Sequence, residues 1–222
     1  MSILRDQVIV VTGASGRLGR RMVQRFAQDG AAIAAVVRKE EDARGLPFPD
    51  EGEGWAFPVD VTDDDVVRAC FDQILEQFGR VDALVHTVGM WESRPLMETS
   101  LDQWQHVMRV NLTSTFLCFR EAVRVMAGSG RLVAFTSEQG ADRGVAQQAA
   151  YASAKAGVVR LVESVSSEFE GITAHAIAPS TIRYDETGDG VAADDLVELC
   201  RTILTTTGDA VDGSVIRAYG RR

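Results

Sequence analysis

Seven short apolar runs recur along the chain: "QVIVVT" (7–12), "AAIAAVV" (31–37), "GWAFPV" (54–59), "DALVHTV" (82–88), "RLVAFTS" (131–137), "TAHAIA" (173–178) and "SVIRAY" (214–219). Most are continuously apolar, not alternating, which is the pattern of parallel strands covered on both faces. Between them lie amphipathic segments at about 17–29, 62–78, 100–127, 151–170 and 193–205. In the fourth, Val158, Leu161 or Val162, Val165 and Phe169 recur at helical spacing. Thr62 before "DDD" and Ser100 before "LDQW" have the character of helix N-caps with acidic first turns. Strand–helix alternation over the whole length predicts one α/β domain, residues 1–222, with a doubly wound parallel sheet of seven strands and helices on both faces. The stretch "RGLPFPDEGEG" (44–54) reads as an acidic surface loop and not as a boundary.

Charge narrows the partners. With 222 residues and a formal charge of −9, the chain is ill suited to nonspecific binding of nucleic acid or anionic membrane. An anionic ligand would need a local basic cluster. Cys70, Cys118 and Cys200 are odd in number and sit far apart in apolar stretches. They fit buried free thiols in a reducing compartment better than disulfides or a metal site. The start "MSILRDQVIVVTG" lacks a secretory pattern, and no span nears the roughly 18 apolar residues of a membrane helix. A cytoplasmic protein is expected.

Directly after the first strand, "TGASGRLG" (12–19) opens the first helix. Gly13, Gly16 and Gly19 would permit a tight turn, close approach of a pyrophosphate and close helix–sheet packing, with the helix N-terminus facing the phosphates. That placement points to a Rossmann-like dinucleotide site. An acid at the end of the second strand would select NAD, but "AAIAAVV" runs into Arg38 and Lys39, with no acid before Glu40. Arg17 lies in the glycine turn itself. These cations would suit a ribose 2′-phosphate, although solvated surface cations would read the same way. Later, "YASAK" (151–155) sets the Tyr151 phenol and the Lys155 ammonium on one helix face, a turn apart. This is either a surface pair on an alanine-rich helix or a tyrosine made acidic enough for proton exchange. There is no Gly-x-Ser-x-Gly turn for a serine hydrolase and no Gly-x-x-x-x-Gly-Lys loop for ATP chemistry.

Taken together and in order, "TGASGRLG", "DVTD" (60–63), "DALVHTVG" (82–89), "PLMETSLDQWQHVMRVNLTSTF" (95–116), "LVAFTSEQG", "YASAK", "IAPSTI" (177–182) and "GSVIRAYG" (213–220) resemble the short-chain dehydrogenase/reductase family over nearly the whole chain. Its 3-oxoacyl-carrier-protein reductases are among the members most resembled. The resemblance implies that Tyr151 is the general acid/base and that Lys155 holds the nicotinamide ribose and lowers the tyrosine's pKa. Ser137 would hydrogen-bond the substrate oxygen, and Asn111 would anchor a water linking Lys155 to solvent. It further implies a cofactor site at Gly13, Ser15, Gly16, Arg17, Leu18, Gly19, Arg38, Asp60, Val61, Gly89, Tyr151, Lys155, Pro179 and Ile182. Within it, Asp60 would accept from the adenine amino group, and the backbone at Ile182 would meet the carboxamide.

The chain also departs from the family pattern. Arg17 replaces the usual middle glycine, and His86 and Thr87 replace two asparagines. Ser180 stands where glycine is usual and Tyr184 where a threonine is frequent. The substrate loop, 183–192, is short, so the pocket should be open and bordered by Met90, Trp91, Glu92, Glu138, Gln139, Val145, Gln148 and Tyr184. The expected function is NADP(H)-dependent, reversible reduction of a ketone or aldehyde, with a small-molecule or carrier-attached carbonyl as substrate. A non-catalytic NADP-binding regulator of the same fold is the alternative. Relatives suggest a homodimer or homotetramer, and the small residues of "YASAKAG" could serve packing between subunits or within one.

Overall fold

The computed structural model describes residues 3–48, 53–185, 187–206 and 212–220. Seven strands form one parallel sheet: β1 (Val8–Thr12), β2 (Ala32–Val37), β3 (Gly54–Pro58), β4 (Ala83–His86), β5 (Gly130–Phe135), β6 (Ile172–Pro179) and, last in the chain, β9 (Val215–Ala218). A separate two-stranded pair joins β7 (Ile182–Arg183) to β8 (Val191–Ala192). The order across the large sheet is β3-β2-β1-β4-β5-β6-β9. All seven apolar runs are strands, with ends shifted by a residue or two.

Their continuous hydrophobicity has a direct cause, since successive side chains feed opposite layers. Ile9 and Val11 face α1 (Arg17–Gln28) and α7 (Ala193–Thr205), meeting Met22, Phe26, Leu196 and Cys200. Val10 faces the other way, toward a core built from α2 (Asp64–Phe78), α4 (Ser114–Val125) and α6 (Ala149–Glu168). That second layer holds Cys70, Phe71, Phe119 and Val162. All three cysteines are buried free thiols.

The third helical segment is not one helix. It comprises α3 (Leu101–Met108), a π-helical turn at Arg109–Thr113, and α4. The buried hydroxyls of Ser114 and Thr115 donate to the carbonyls of Val110 (2.6 Å) and Asn111 (2.9 Å), inside and beside the widened turn. Ser100 caps α3 as expected, in a reciprocal capping box with Gln103. Thr62 does not cap α2. Asp63 does, accepting from the Val66 N–H, because the Thr62 hydroxyl is spent on Asp60 at 2.8 Å. Just before the expected acidic loop (44–54), Glu40–Ala43 forms a 3₁₀ turn; within the loop, residues 49–52 lie outside the described residues.

Candidate active site

The strand order reverses between β1 and β4, and both strands end there in register: Thr12 opposes Val36 on one side and His86 on the other. Crevices at such reversals, beyond the carboxyl ends of the strands, are where open α/β sheets bind ligands. Gly13 turns the chain there with φ +69°, and a Cβ on it would lie 2.7 Å from the Thr87 hydroxyl. Only glycine meets both demands. Gly16 is the N-cap of α1, and a Cβ on Gly19 would collide with the Gly13 carbonyl. Gly13 thus makes the tight turn, and Gly19 lets α1 pack closely against it.

A cavity of about 480 Å³ opens over these strand ends, lined by Gly13, Ser15, Arg38, Asp60, Val61 and Gly89 among others. Two further residues line it that the sequence reading did not single out, His106 and Arg109. They lie three apart at the end of α3, so they share a face, but nothing in their spacing says that the face meets this cleft. Asp60 Oδ1 accepts from the Thr62 N–H at 3.0 Å and from its hydroxyl. These bonds hold its carboxyl below the usual range, with the Arg38 and Arg109 guanidiniums adding to the effect.

An adjoining cavity of about 530 Å³ shares Gly89 and Met90 with the first and is lined by Leu18, Ser137, Tyr151, Lys155, Pro179, Ile182 and Tyr184. Ser137 ends β5 and caps the short helix α5 (Glu138–Ala141), accepting from the Gly140 N–H at 3.2 Å. Its side chain also hydrogen-bonds Tyr151. Close docking of α5 on α6 makes this meeting possible: a Cβ on Gly140 would lie 2.6 Å from Lys155 backbone, and Thr136 donates its hydroxyl to the Lys155 carbonyl at 2.7 Å. Lys155 is 5% exposed, and its ammonium donates to the Phe135 carbonyl at 2.8 Å. Burial pushes the lysine down to about 8.

The phenol behaves differently from the sequence expectation. Burial raises the Tyr151 pKa, the Ser137 hydrogen bond opposes that rise, and Lys155 has no resolved part in the balance. A buried ammonium needs a hydrogen-bonding partner, and here the strand-end carbonyl takes that role. Asn111, fully buried in the π-turn, accepts from the Met90 N–H and donates to the Val107 carbonyl, each at 3.0 Å. Gly89 lies against both Asn111 and Lys155, since a Cβ there would stand 3.0 Å from each side chain.

Two departures at the end of β4 remake its bonds. His86 sits between Thr12 (Nδ1 to Oγ1, 2.8 Å) and Ser114 (Nε2 to Oγ, 3.2 Å). The Ser114 proton goes to Val110, so Nε2–H donates to Ser114, and Nδ1 accepts from Thr12. Burial first, and then the Lys155 charge, push His86 down to about 3, so it is neutral and structural. The Thr87 hydroxyl donates to the Thr12 carbonyl at 2.7 Å. Ser180 finds a use as well, donating to the Tyr219 carbonyl at 2.6 Å beyond β9.

Arg17 does not join Arg38 at the first cavity. Its guanidinium lies over the Tyr184 ring, 3.8 Å from the centroid. Of the expected pocket border, Met90, Trp91, Gln139 and Tyr184 line the second cavity, with Trp91 64% exposed. Glu92, Glu138, Val145 and Gln148 stand outside that lining. Two small residues of "YASAKAG" pack within the chain: Ala154, with the preceding Ala150, meets Val107, and Gly157 gives room to Leu112.

A seven-stranded parallel sheet with helices on both faces and a glycine turn at its switch point defines a Rossmann-like nucleotide-binding protein. The chain belongs to the short-chain dehydrogenase family, whose model matches residues 7–193. Members are oxidoreductases that use a nicotinamide cofactor. The chain is similar to a 3-oxoacyl-[acyl-carrier-protein] reductase of Synechocystis, 35% identical over 84% of this chain and 78% of that one. It is also similar to a 3beta-hydroxysteroid dehydrogenase of Mediterraneibacter gnavus, 34% identical over 79% of this chain and 66% of that protein. A solved short chain dehydrogenase from Mycobacterium smegmatis superposes with a TM-score of 0.89 at 27% identity, covering 100% of this chain and 95% of the other. Among the described residues, no helix is long and apolar enough to cross a membrane.

Proposed function

We propose that the protein is an NADP(H)-dependent carbonyl reductase, working reversibly as an alcohol dehydrogenase. The observation that carries this reading is the convergence of Ser137, Tyr151 and Lys155 on one cavity wall beside the glycine turn. The residues fit a dinucleotide: the glycine turn opens α1 at the strand ends, and two adjoining cavities give room for its two halves. When bound, the nicotinamide supplies the hydride. Tyr151 donates the proton to the carbonyl oxygen, and Ser137 hydrogen-bonds that oxygen as charge develops on it. Lys155 holds the nicotinamide ribose, and Asn111 anchors a water that links the lysine to solvent.

NADPH is favoured over NADH because Arg38 and Arg109 line the cavity at the ends of β2 and β3, and no acid precedes Glu40. A charge-assisted contact to a phosphate is worth roughly 1.5–3 kcal/mol. Arg38→Ala should therefore weaken NADPH at least about tenfold and leave NADH nearly unchanged. The substrate is a small-molecule or carrier-attached carbonyl, and the exposed Trp91 suits a bulky one. A cytoplasmic homodimer or homotetramer completes the reading.

NADPH oxidation followed over a panel of carbonyls, with Tyr151→Phe as control, tests the catalytic part. No carbonyl-dependent oxidation by wild type would favour the non-catalytic NADP-binding regulator, and turnover by Tyr151→Phe at the wild-type rate would remove Tyr151 as the proton donor. Equal wild-type affinity for NADPH and NADH would remove the cofactor assignment.

A further inference from the structure

Two departures from the family pattern, Arg17 and Tyr184, lie in contact with each other. The Arg17 guanidinium stacks 3.8 Å from the centre of the Tyr184 ring. Arg21, one turn further along α1, lies 6.0 Å from the same ring, and its Nη2 donates to the Tyr184 carbonyl at 3.4 Å. Its Nη1 binds Asp194 at the start of α7 at 2.6 Å. The first turn of α1 thus grips the segment that follows β7 at both ring and backbone. Among the described residues, no carboxylate lies within ion-pair distance of Arg17, so the ring face is its stated partner. Tyr184 in turn lines the cavity that holds Ser137, Tyr151 and Lys155.

We infer that Arg17 and Tyr184 are one positioning unit for the nicotinamide half of the bound dinucleotide, and that Arg17 takes no part in reading the adenosine half. This rests on the dinucleotide reading above. The chemistry explains why the two departures occur together. A planar guanidinium stacks on an aromatic face, whereas a glycine at 17 offers no cation and a threonine at 184 offers no face. In a loop too short to carry a covering helix, a side chain from α1 fixes the ring as a wall of the cavity. The same stack holds the guanidinium away from Arg38, which lines the other cavity.

The test is calorimetric titration of the full chain with NADPH and with 2′,5′-ADP, which carries only the adenosine half and its 2′-phosphate. The proteins are wild type, Arg17→Ala, Tyr184→Thr, their double variant, and the conservative Arg17→Lys and Tyr184→Phe. Affinity for 2′,5′-ADP should be the same in all six. NADPH should weaken about two- to fivefold in each disruptive single variant, the size of one exposed cation–π contact, and no further in the double. Tyr184→Phe should stay within about twofold of wild type, because it keeps the ring face, whereas Arg17→Lys, which keeps the charge and loses the planar stack, should fall between wild type and Arg17→Ala. Arg17→Ala weakening 2′,5′-ADP as much as NADPH would overturn the inference by placing the arginine at the adenosine half. A double variant losing the product of the two single losses would overturn it too, since the residues would then act separately. Wild type that binds neither ligand would instead remove the dinucleotide reading, and this inference with it.

Discussion

His86 should act as an acid-sensitive weak point of the fold, and His86→Asn should remove it. The imidazole is 1% exposed and lies between the Thr12 and Ser114 hydroxyls, with its pKa pushed from 6.5 down to about 3 by burial and the Lys155 charge. Each pKa unit is worth about 1.36 kcal/mol, so the full gap corresponds to about 5 kcal/mol. The sign follows from proton counts. Between pH 6.5 and 3 the unfolded chain binds a proton at this histidine and the folded chain does not, so stability falls as pH is lowered through that window. By pH 5 the loss from His86 alone is about 2 kcal/mol, a sizeable part of the roughly 5–15 kcal/mol that holds a domain together. Asparagine offers one donor and one acceptor group to the same hydroxyls and does not titrate. Urea unfolding of wild type and His86→Asn at pH 7.5, 6 and 5 measures the difference. Buried His175 is also shifted down, chiefly by burial, but it is present in both proteins and cancels. Wild type should lose about 2 kcal/mol more than the variant between pH 7.5 and 5. Parallel pH profiles for the two proteins would refute the reasoning.

Ser137→Ala should lower turnover by up to about 10²–10³-fold through loss of the hydrogen bond to the developing charge. It should also cost about 1 kcal/mol of stability through loss of the α5 cap; steady-state kinetics and thermal melts read the two effects, and retained full activity would shift the role elsewhere. Lys155→Met should change the alkaline stability profile. The lysine's folded pKa of about 8 lies below the ordinary 10.5, so its buried charge destabilises the fold below pH 8, and the penalty is relieved as pH rises to 10.5. The buried thiols and the Tyr151 phenol, pushed up by burial, cost stability over the same range but are present in both proteins and cancel. Urea unfolding should show wild type gaining about 3 kcal/mol relative to the variant between pH 8 and 10.5, and parallel profiles would contradict the burial argument.

How much of this was legible in advance depended on how local the signal is. The strands could be read because both faces are buried, so that Ile9, Val10 and Val11 are all apolar without alternation. The glycine uses were also legible, since a positive φ at Gly13 and a collision at Gly19 are demands only glycine meets. The cap of α2 was misassigned because Thr62, Asp63 and Asp64 are all competent acceptors. The choice fell to Asp63 through a bond between Thr62 and Asp60 at the wall of the first cavity. Arg17 was expected at the 2′-phosphate from its place in the turn, yet its direction was set by Tyr184, 167 residues later in the chain. Arg109 and His106 escaped notice for a related reason. A π-turn follows α3, and no residue type announces where a helix will widen.

That widened turn also acts as a phase shifter. Upstream of it, Val107 and Met108 pack with Ala150, Ala154 and Tyr151 beside the second cavity. Downstream, Leu117, Cys118, Phe119 and Ala122 interlock with α2 and the sheet in a separate layer. Winding all five residues of Arg109–Thr113 as regular α-helix would rotate everything after them by roughly 100°, because a π-turn takes up about one extra residue. Phe119 and Ala122 would leave the core, and the charges of Arg120 and Arg124 would swing toward it. The orientation of Asn111 is therefore indexed by a hydrophobic layer it does not touch. An insertion or deletion within α3 or α4 themselves would turn one packed layer against the other, whereas a one-residue loss at the π-turn would keep their phase.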